Sequence, residues 1–226
     1  MTATTSEPRF VTLLAALNVT FLLVSDFTGA RIIGLYGVGV SVTVLYFPIT
    51  YLIGDVLTEV YGYAQARRVI WISMFCSIAG SAIGGGQLAV PAAAFFGADA
   101  AYRTVFSPSL TISAAGLFAF FAGDISNSYV LAKVKIWDGG KRLWFRFVLS
   151  TIVGEGVNTL LFYAIALHGV LPQRLLLRGV LMGWTIKVVV EVVMLPVSYG
   201  VVLFLKRAER IDHYDYDTNF NPFLAR

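Results

Sequence analysis

Six apolar segments of membrane-spanning length make up most of this chain of 226 residues. We predict them over residues 10–29, 40–60, 69–89, 110–131, 147–167 and 180–205. About 20 apolar residues in a helix cross the hydrocarbon core of a bilayer. Only 13% of the residues are charged, against about 25% in soluble domains. The sequence therefore predicts an all-α membrane protein with six transmembrane helices.

The basic residues predict the orientation of these helices. Of the 17 Lys and Arg residues, twelve lie in the N-terminal segment, after the second and fourth spans, and in the C-terminal tail, whereas four lie on the other side. By the positive-inside rule, both termini are expected in the cytoplasm. The predicted organisation is an N-terminal tail over 1–9, a six-helix transmembrane domain over 10–206, and a C-terminal tail over 207–226. That tail is either disordered or packed on the cytoplasmic face, and the first span is expected to be retained because no cleavage pattern follows it.

Two prolines and one long loop modify this simple pattern. Pro48 in the second span and Pro196 in the sixth each remove a backbone hydrogen bond, so each is expected to kink its helix. Residues 91–109 are predicted to form a mildly apolar loop that lies at the membrane interface or acts as a lid.

Sequence motifs of catalysis and metal binding are missing. The chain has two histidines and one cysteine, and it has no P-loop, His-Glu-x-x-His motif or nucleophile elbow. We expect no enzymatic activity, no metal and no cofactor, and any ATP-driven work would need another subunit. The net charge of +4 does not indicate nucleic-acid binding, because the basic residues are concentrated in the loops.

Ionisable residues inside the apolar segments are the main functional signal. A charged side chain at the centre of a bilayer costs roughly 2.5–3.5 kcal/mol on insertion scales, so such residues usually have a partner or a function. The ionisable residues within the predicted spans are Asp26, Asp55, Glu59, Asp124, Glu155, Lys187 and Glu191. Arg31 lies just beyond the first span.

Asp55 and Glu59 are four residues apart and therefore share one face of the second helix. Glu59 could instead form a salt bridge with Arg67 or Arg68 near the membrane surface. Asp55 lies deeper, and its structural alternative is a buried pair with Lys187.

Lys187 and Glu191 are also four residues apart, and Trp184 precedes Lys187 by three. The structural alternative is an ion pair within the sixth helix. The functional alternative is the wall of a pocket, in which a planar ligand stacks on the indole while its polar edge meets a carboxylate.

Two spans repeat an acid–amide pair at a spacing of three residues, with Asp124 and Asn127 in the fourth and Glu155 and Asn158 in the fifth. The structural alternative is a set of hydrogen bonds between helices, each worth about 0.6 kcal/mol on average in membranes. If the polar groups of the different helices face one interior, they form a binding site.

Residues 47–62 read Phe-Pro-Ile-Thr-Tyr-Leu-Ile-Gly-Asp-Val-Leu-Thr-Glu-Val-Tyr-Gly, and 66–71 read Ala-Arg-Arg-Val-Ile-Trp. This run strongly resembles the queuosine precursor transporter family, also called the vitamin uptake transporter family. The resemblance extends over roughly residues 10–206. It continues at 127–128, 132–133, 143–146 and 150–154, and ends with Lys187, Glu191, Pro196 and Tyr199.

The resemblance implies a six-helix fold similar to the substrate-binding subunits of energy-coupling-factor importers. It implies uptake of 7-deazaguanine bases, such as 7-cyano- or 7-aminomethyl-7-deazaguanine, across a bacterial cytoplasmic (inner) membrane. We expect a secondary importer that works by alternating access; the alternatives are a binding subunit that shares an ATPase module and a membrane scaffold that transports nothing. The expected partners are the nucleobase, the lipid bilayer and, as an option, a second copy of the chain.

The resemblance also assigns candidate roles to the polar residues. Asp55, Glu59, Lys187 and Glu191 fall on family motif positions, whereas Asp124 and Glu155 stand where glutamine is usual, Asn158 where aspartate is usual and Asp26 where asparagine is usual. Such exchanges bear on which deazaguanine is preferred. Asp55 and Lys187 are expected to form a charge pair that rearranges on opening, and Asp55, Glu59 and Lys187 are the candidates for coupling or gating. The substrate-binding candidates are Asp124, Asn127, Glu155, Asn158, Trp184, Tyr51 and Glu191.

Overall fold

The computed structural model describes residues 8–29, 31–35, 38–106, 110–166 and 173–224. The predicted N-terminal tail falls almost wholly outside these ranges, as does His168. Seven α-helices, one two-stranded sheet and two short 3-10 segments are found in the described ranges. The helices are α1 (Val11–Thr28), α2 (Pro48–Tyr61), α3 (Tyr63–Gly86), α4 (Asp99–Phe106), α5 (Leu110–Asp138), α6 (Leu143–Ala166) and α7 (Gln173–Glu209).

Four helices among the described residues are long and apolar enough to cross a membrane: α1, α3, α6 and most of α7. Large apolar side chains are exposed on them, whereas polar groups such as Asn18 and Ser73 are buried and hydrogen-bonded to each other. An apolar exterior around a polar interior suits a protein surrounded by lipid. Six helices pack around the interior, but the structure supports the span assignment for these four.

The second predicted span is not a continuous helix. Residues 40–60 include the end of an antiparallel hairpin, β1 (Ile32–Leu35) and β2 (Val38–Ser41), followed by a 3-10 segment (Val42–Leu45) and then by α2. The predicted kink at Pro48 is wrong, because Pro48 occupies the first turn of α2, where its missing N–H costs nothing.

The 14 residues of α2 rise about 21 Å, less than the roughly 30 Å of a hydrocarbon core. Twelve of them are buried, so α2 is the central element of the bundle rather than a lipid-facing span. Its apolar side, with Val56, Leu57 and Val60, packs into the main core together with Leu131 and Phe147.

The two ends of the bundle differ in character. The start of α1 lies beside the end of α7, because the backbone N–H of Phe10 donates to Glu209 at 2.8 Å. The ends of α2 and α5 and the starts of α3 and α6 lie at this same end, together with Arg67, Lys135, Arg146 and Lys206. We name it the basic end. At the opposite end, the predicted loop 91–109 contains α4, which packs against α1 and α3 through Phe106. Pro196 lies within α7.

Candidate functional site

Two glycines, Gly123 and Gly154, allow a close contact between α5 and α6. A Cβ at Gly123 would lie 3.0 Å from the carbonyl oxygen of Gly154. A Cβ at Gly154 would lie 2.6 Å from the Cβ of Asn127. Such close approach requires residues without side chains. It brings the acid–amide pairs of α5 and α6 together.

The contribution of α2 is a stripe of two side chains, Tyr51 and Asp55, which are four residues apart. Asp55 is completely buried, and its Oδ1 accepts a hydrogen bond of 2.6 Å from the Asn127 side-chain amide. The Tyr51 hydroxyl lies beside the Asp124 carboxylate without a hydrogen bond of regular geometry. Thus α2 and α5 meet through polar groups deep within the bundle.

Lys187 of α7 contacts α6 rather than α2. Its ammonium donates to Glu155 Oε2 at 2.7 Å and to Asn158 Oδ1 at 2.9 Å, and it lies over the Phe47 ring. The expected charge pair between Asp55 and Lys187 is therefore wrong for this conformation. The ion pair within α7 is also not formed, because Lys187 turns to the acid and amide on α6.

These residues form one buried group, which we name the central cluster: Tyr51, Asp55, Asp124, Asn127, Glu155, Asn158, Lys187 and Glu191. Within it, the Asp55 carboxyl group lies close enough to those of Glu191 and Asp124 for electrostatic repulsion. The Glu191 and Glu155 carboxyl groups are also close enough to repel each other. Seven of the eight residues expose 6% or less of their surface, and only Lys187 is partly exposed. Four helices therefore contribute side chains to one interior.

The hydrogen bonding of the central cluster is incomplete. Buried oxygens without a hydrogen-bond partner belong to Tyr51, Asp55, Asp124, Asn127 and Glu191. Buried polar atoms are normally satisfied, and an unsatisfied one costs about 1–3 kcal/mol. When the acids are ionised, four of these five atoms can only accept hydrogen bonds, so the cluster then lacks donors. A ligand that supplies N–H groups would complete it.

The Trp184 side chain is held against α6 rather than left free to stack on a ligand. Its indole N–H donates to the backbone carbonyl of Ile152 at 3.0 Å, and its ring packs on Gly156. It is half-buried at the edge of the central cluster, one helical turn before Lys187. Two surface cavities, of about 600 and 540 Å³, lie on the outside of α1 and α3 and along α7, and no central-cluster residue lines either.

Glu59 lies apart from the central cluster, one turn further toward the basic end. Its carboxylate, which is fully buried, accepts two hydrogen bonds of 2.8 Å from Arg146 and one of 2.6 Å from Lys206. Lys135 lies 3.5 Å from it and donates to the Glu59 carbonyl at 2.5 Å. The expected salt bridge to Arg67 or Arg68 is wrong, because α5, α6 and α7 place cations nearer to Glu59. This ion network joins four helices.

The C-terminal tail is packed on the basic end, which was one of the two expected states. We name residues 210–224 the strap. Its Asp215 accepts hydrogen bonds from the backbone N–H of Tyr63 at 3.0 and 3.1 Å, and so caps α3, which has no side-chain cap of its own. Further along, Arg67 donates to the carbonyls of Asn219 and Asn221, each at 2.8 Å.

The strap also joins the ion network through Asp212. Its carboxylate binds Lys135 at 2.6 Å and Lys206 at 2.9 Å. Burial acts to raise the pKa of the Asp212 carboxyl, but the hydrogen bonds from the two lysines outweigh it and lower that pKa below 3.8. Asp212 therefore remains charged at neutral pH and keeps the strap attached.

Sequence reasoning missed the partners of Glu59 and the role of the strap. From the sequence, Lys135, Arg146 and Lys206 indicate only the orientation of the helices. A carboxylate predicted inside a span requires a cation, and that requirement was the available signal. Within the described residues, no group of three His, Cys, Asp or Glu side chains is placed to hold a metal ion.

Comparisons with known proteins place the chain among transporter sequences. The chain is 25% identical to a Bacillus subtilis (strain 168) protein named "Probable queuosine precursor transporter", over 181 residues that cover 80% of this chain and 79% of that relative. No solved structure matches the chain. The family profile described as "Putative vitamin uptake transporter" matches residues 41–201, which is more than half of the chain. This multi-pass membrane protein therefore belongs to the vitamin uptake transporter family.

Proposed function

We propose that this protein imports 7-deazaguanine bases, such as 7-cyano- or 7-aminomethyl-7-deazaguanine, across the bacterial cytoplasmic membrane. In this proposal α1, α3, α5, α6 and α7 cross the bilayer, residues 40–61 form a sixth crossing that ends in α2, and the basic end faces the cytoplasm, in line with the positive-inside rule. The name of the Bacillus subtilis relative supports the substrate class. The observation that carries the proposal is the central cluster, in which buried acceptors on α2, α5 and α7 have no donor.

A guanine-like base has the complementary chemistry. Its ring N–H and amino groups are donors that a carboxylate can accept in pairs, and its carbonyl can accept from an amide. Asp124, Asn127, Glu155 and Asn158 would bind the edge of the base. Tyr51 would complete the hydrogen bonding beside Asp124, and Trp184 would contact the ring face, because stacking of a base on an aromatic side chain contributes about 1–3 kcal/mol.

The present contacts suggest how binding and opening are coupled. The Lys187 ammonium donates hydrogen bonds to Glu155 and Asn158, which are two of the acceptors that the base would use. An entering base would therefore compete with the ammonium for them and release α7 from α6. On the cytoplasmic side, the network around Glu59 holds α2, α5, α6 and α7 together. Release of the base into the cell would require this network to open, which is the gating role proposed for Glu59 and Lys187.

The test combines binding and uptake with the purified full-length protein. Thermal unfolding is measured with 7-cyano-7-deazaguanine, its aminomethyl relative, queuine and guanine, and a bound base should stabilise the fold by about 2.7 kcal/mol at 100 times its Kd. Uptake of labelled base by Asp124→Asn, Glu155→Gln and Lys187→Ala should fall strongly, whereas Asp99→Asn, at a partly exposed residue of α4 outside the central cluster, should transport normally. No stabilisation by any base, or normal uptake in all three variants, would refute the proposal. A membrane scaffold would show both of these results.

A further inference from the structure

The charges of the central cluster do not balance. It contains four carboxylates, on Asp55, Asp124, Glu155 and Glu191, whereas its salt bridge comes from one ammonium, that of Lys187. That ammonium is already engaged by Glu155 and Asn158. Buried charges are tolerated only when they are paired and hydrogen-bonded. With all four acids ionised, the cluster is therefore short of positive charge as well as of donors.

The deficit is concentrated between α2 and α7. Asp55 and Glu191 lie close enough to repel each other, and both are 1% exposed or less. Asp55 Oδ2 and Glu191 Oε1 have no hydrogen-bond partner, and Glu191 makes no salt bridge with any described residue. Two neighbouring carboxylates without a cation are unfavourable unless a ligand or a proton separates them.

Two neutral side chains point to a ligand independently of the acids. Asn127 donates its amide N–H to Asp55, which leaves its Oδ1 buried without a donor. The buried Tyr51 hydroxyl, beside Asp124, makes no hydrogen bond of regular geometry. A proton on one carboxylate could satisfy one of these positions, but a donor-rich cation would satisfy several at once.

We propose that the site selects a deazaguanine that carries a primary ammonium on its 7-substituent, and that this ammonium binds between Asp55 and Glu191. This inference rests on the proposed function and refines it. The aminomethyl group is a compact cation with three donors at neutral pH, and the two carboxylates can receive it as charge-assisted hydrogen bonds. A 7-cyano group has no charge and no donor, so it would leave both carboxylates unpaired. Asp55 and Glu191 thus become residues that determine specificity for the side group.

The experiment compares ligands that differ in charge on the same base. Affinities of the full-length protein are measured by calorimetry for 7-aminomethyl-7-deazaguanine, its N-acetyl derivative and 7-cyano-7-deazaguanine. The charged ligand should bind about tenfold to hundredfold tighter than both neutral ones, which corresponds to the strength of one charged hydrogen bond. The cyano group is smaller and the acetamide larger than the aminomethyl group, so a preference set by size would separate the two neutral ligands.

Variants then locate the ammonium. Glu191→Gln and Asp55→Asn should lower the affinity for the aminomethyl base at least about tenfold and leave that for the cyano base unchanged or improved. The matched control Asp99→Asn, in the exposed α4, should change neither affinity. Equal binding of charged and neutral bases by the wild type would overturn the inference while leaving the proposed function standing. An equal loss of affinity for both bases in the two variants would also overturn the inference. If no base binds at all, the proposed function fails and this inference fails with it.

Discussion

Neutralising Glu59 should destabilise the whole bundle. The Glu59 carboxylate is fully buried and faces Arg146, Lys206 and Lys135, at 2.8, 2.6 and 3.5 Å. Arg146 and Lys135 have side chains that are only 1–2% exposed. In Glu59→Gln, one acceptor oxygen remains, but Arg146 and Lys135, two deeply buried cations, lose a fully buried counter-charge. Breaking a buried ion pair by removing one partner costs about 3–5 kcal/mol.

The measurement is thermal unfolding of the purified protein in a mild detergent. At roughly 2–4 °C per kcal/mol for a chain of this size, the midpoint should fall by about 6–20 °C. The matched control is Asp99→Asn, which removes a salt bridge to Arg103 of 2.6 Å between side chains that are 36% and 45% exposed. Exposed pairs contribute about 0–1 kcal/mol, so the control should unfold within a few degrees of the wild type. Equal midpoints for the two variants would refute the view that the network around Glu59 holds the helices together.

Two further substitutions test the helix crossing and the strap. Gly123→Ala places a Cβ 2.7 Å from that of Asn158 and should cost about 1–3 kcal/mol by overpacking. Gly116→Ala in the same helix meets nothing within 4 Å and should be neutral or stabilising by up to about 1 kcal/mol; equal unfolding midpoints would contradict the close crossing. Asp215→Ala removes the cap of α3 and should cost about 0.5–2 kcal/mol, measured as the urea midpoint and as faster proteolysis of the strap. The exposed Asp217→Ala should match the wild type, and an unaltered Asp215→Ala would show that the strap does not cap α3.

Local sequence patterns predicted much of the fold. Apolar length identified α1, α3, α6 and α7 as membrane helices, because the requirement to fill a hydrocarbon core acts on consecutive residues. The i,i+3 and i,i+4 spacings correctly placed polar pairs on one helix face. The second span was misread because an apolar run of 21 residues does not distinguish a helix from a hairpin that leads into a shorter helix. The hairpin forms through pairing of residues 32–35 with 38–41, which hydropathy alone does not reveal.

The sequence by itself determined that the chain enters a membrane, which helices carry acids and amides, and, through the motif at residues 47–62, which family it belongs to. Only the tertiary structure decided how the charges pair. Asp55 binds Asn127, 72 residues away, and Glu59 binds Lys206, 147 residues away. Each such choice depends on the distance between helices, which the glycines at the crossing of α5 and α6 help to set. In a low-dielectric interior, a change of an ångström or two in that distance decides which of several cations or amides a buried carboxylate will bind.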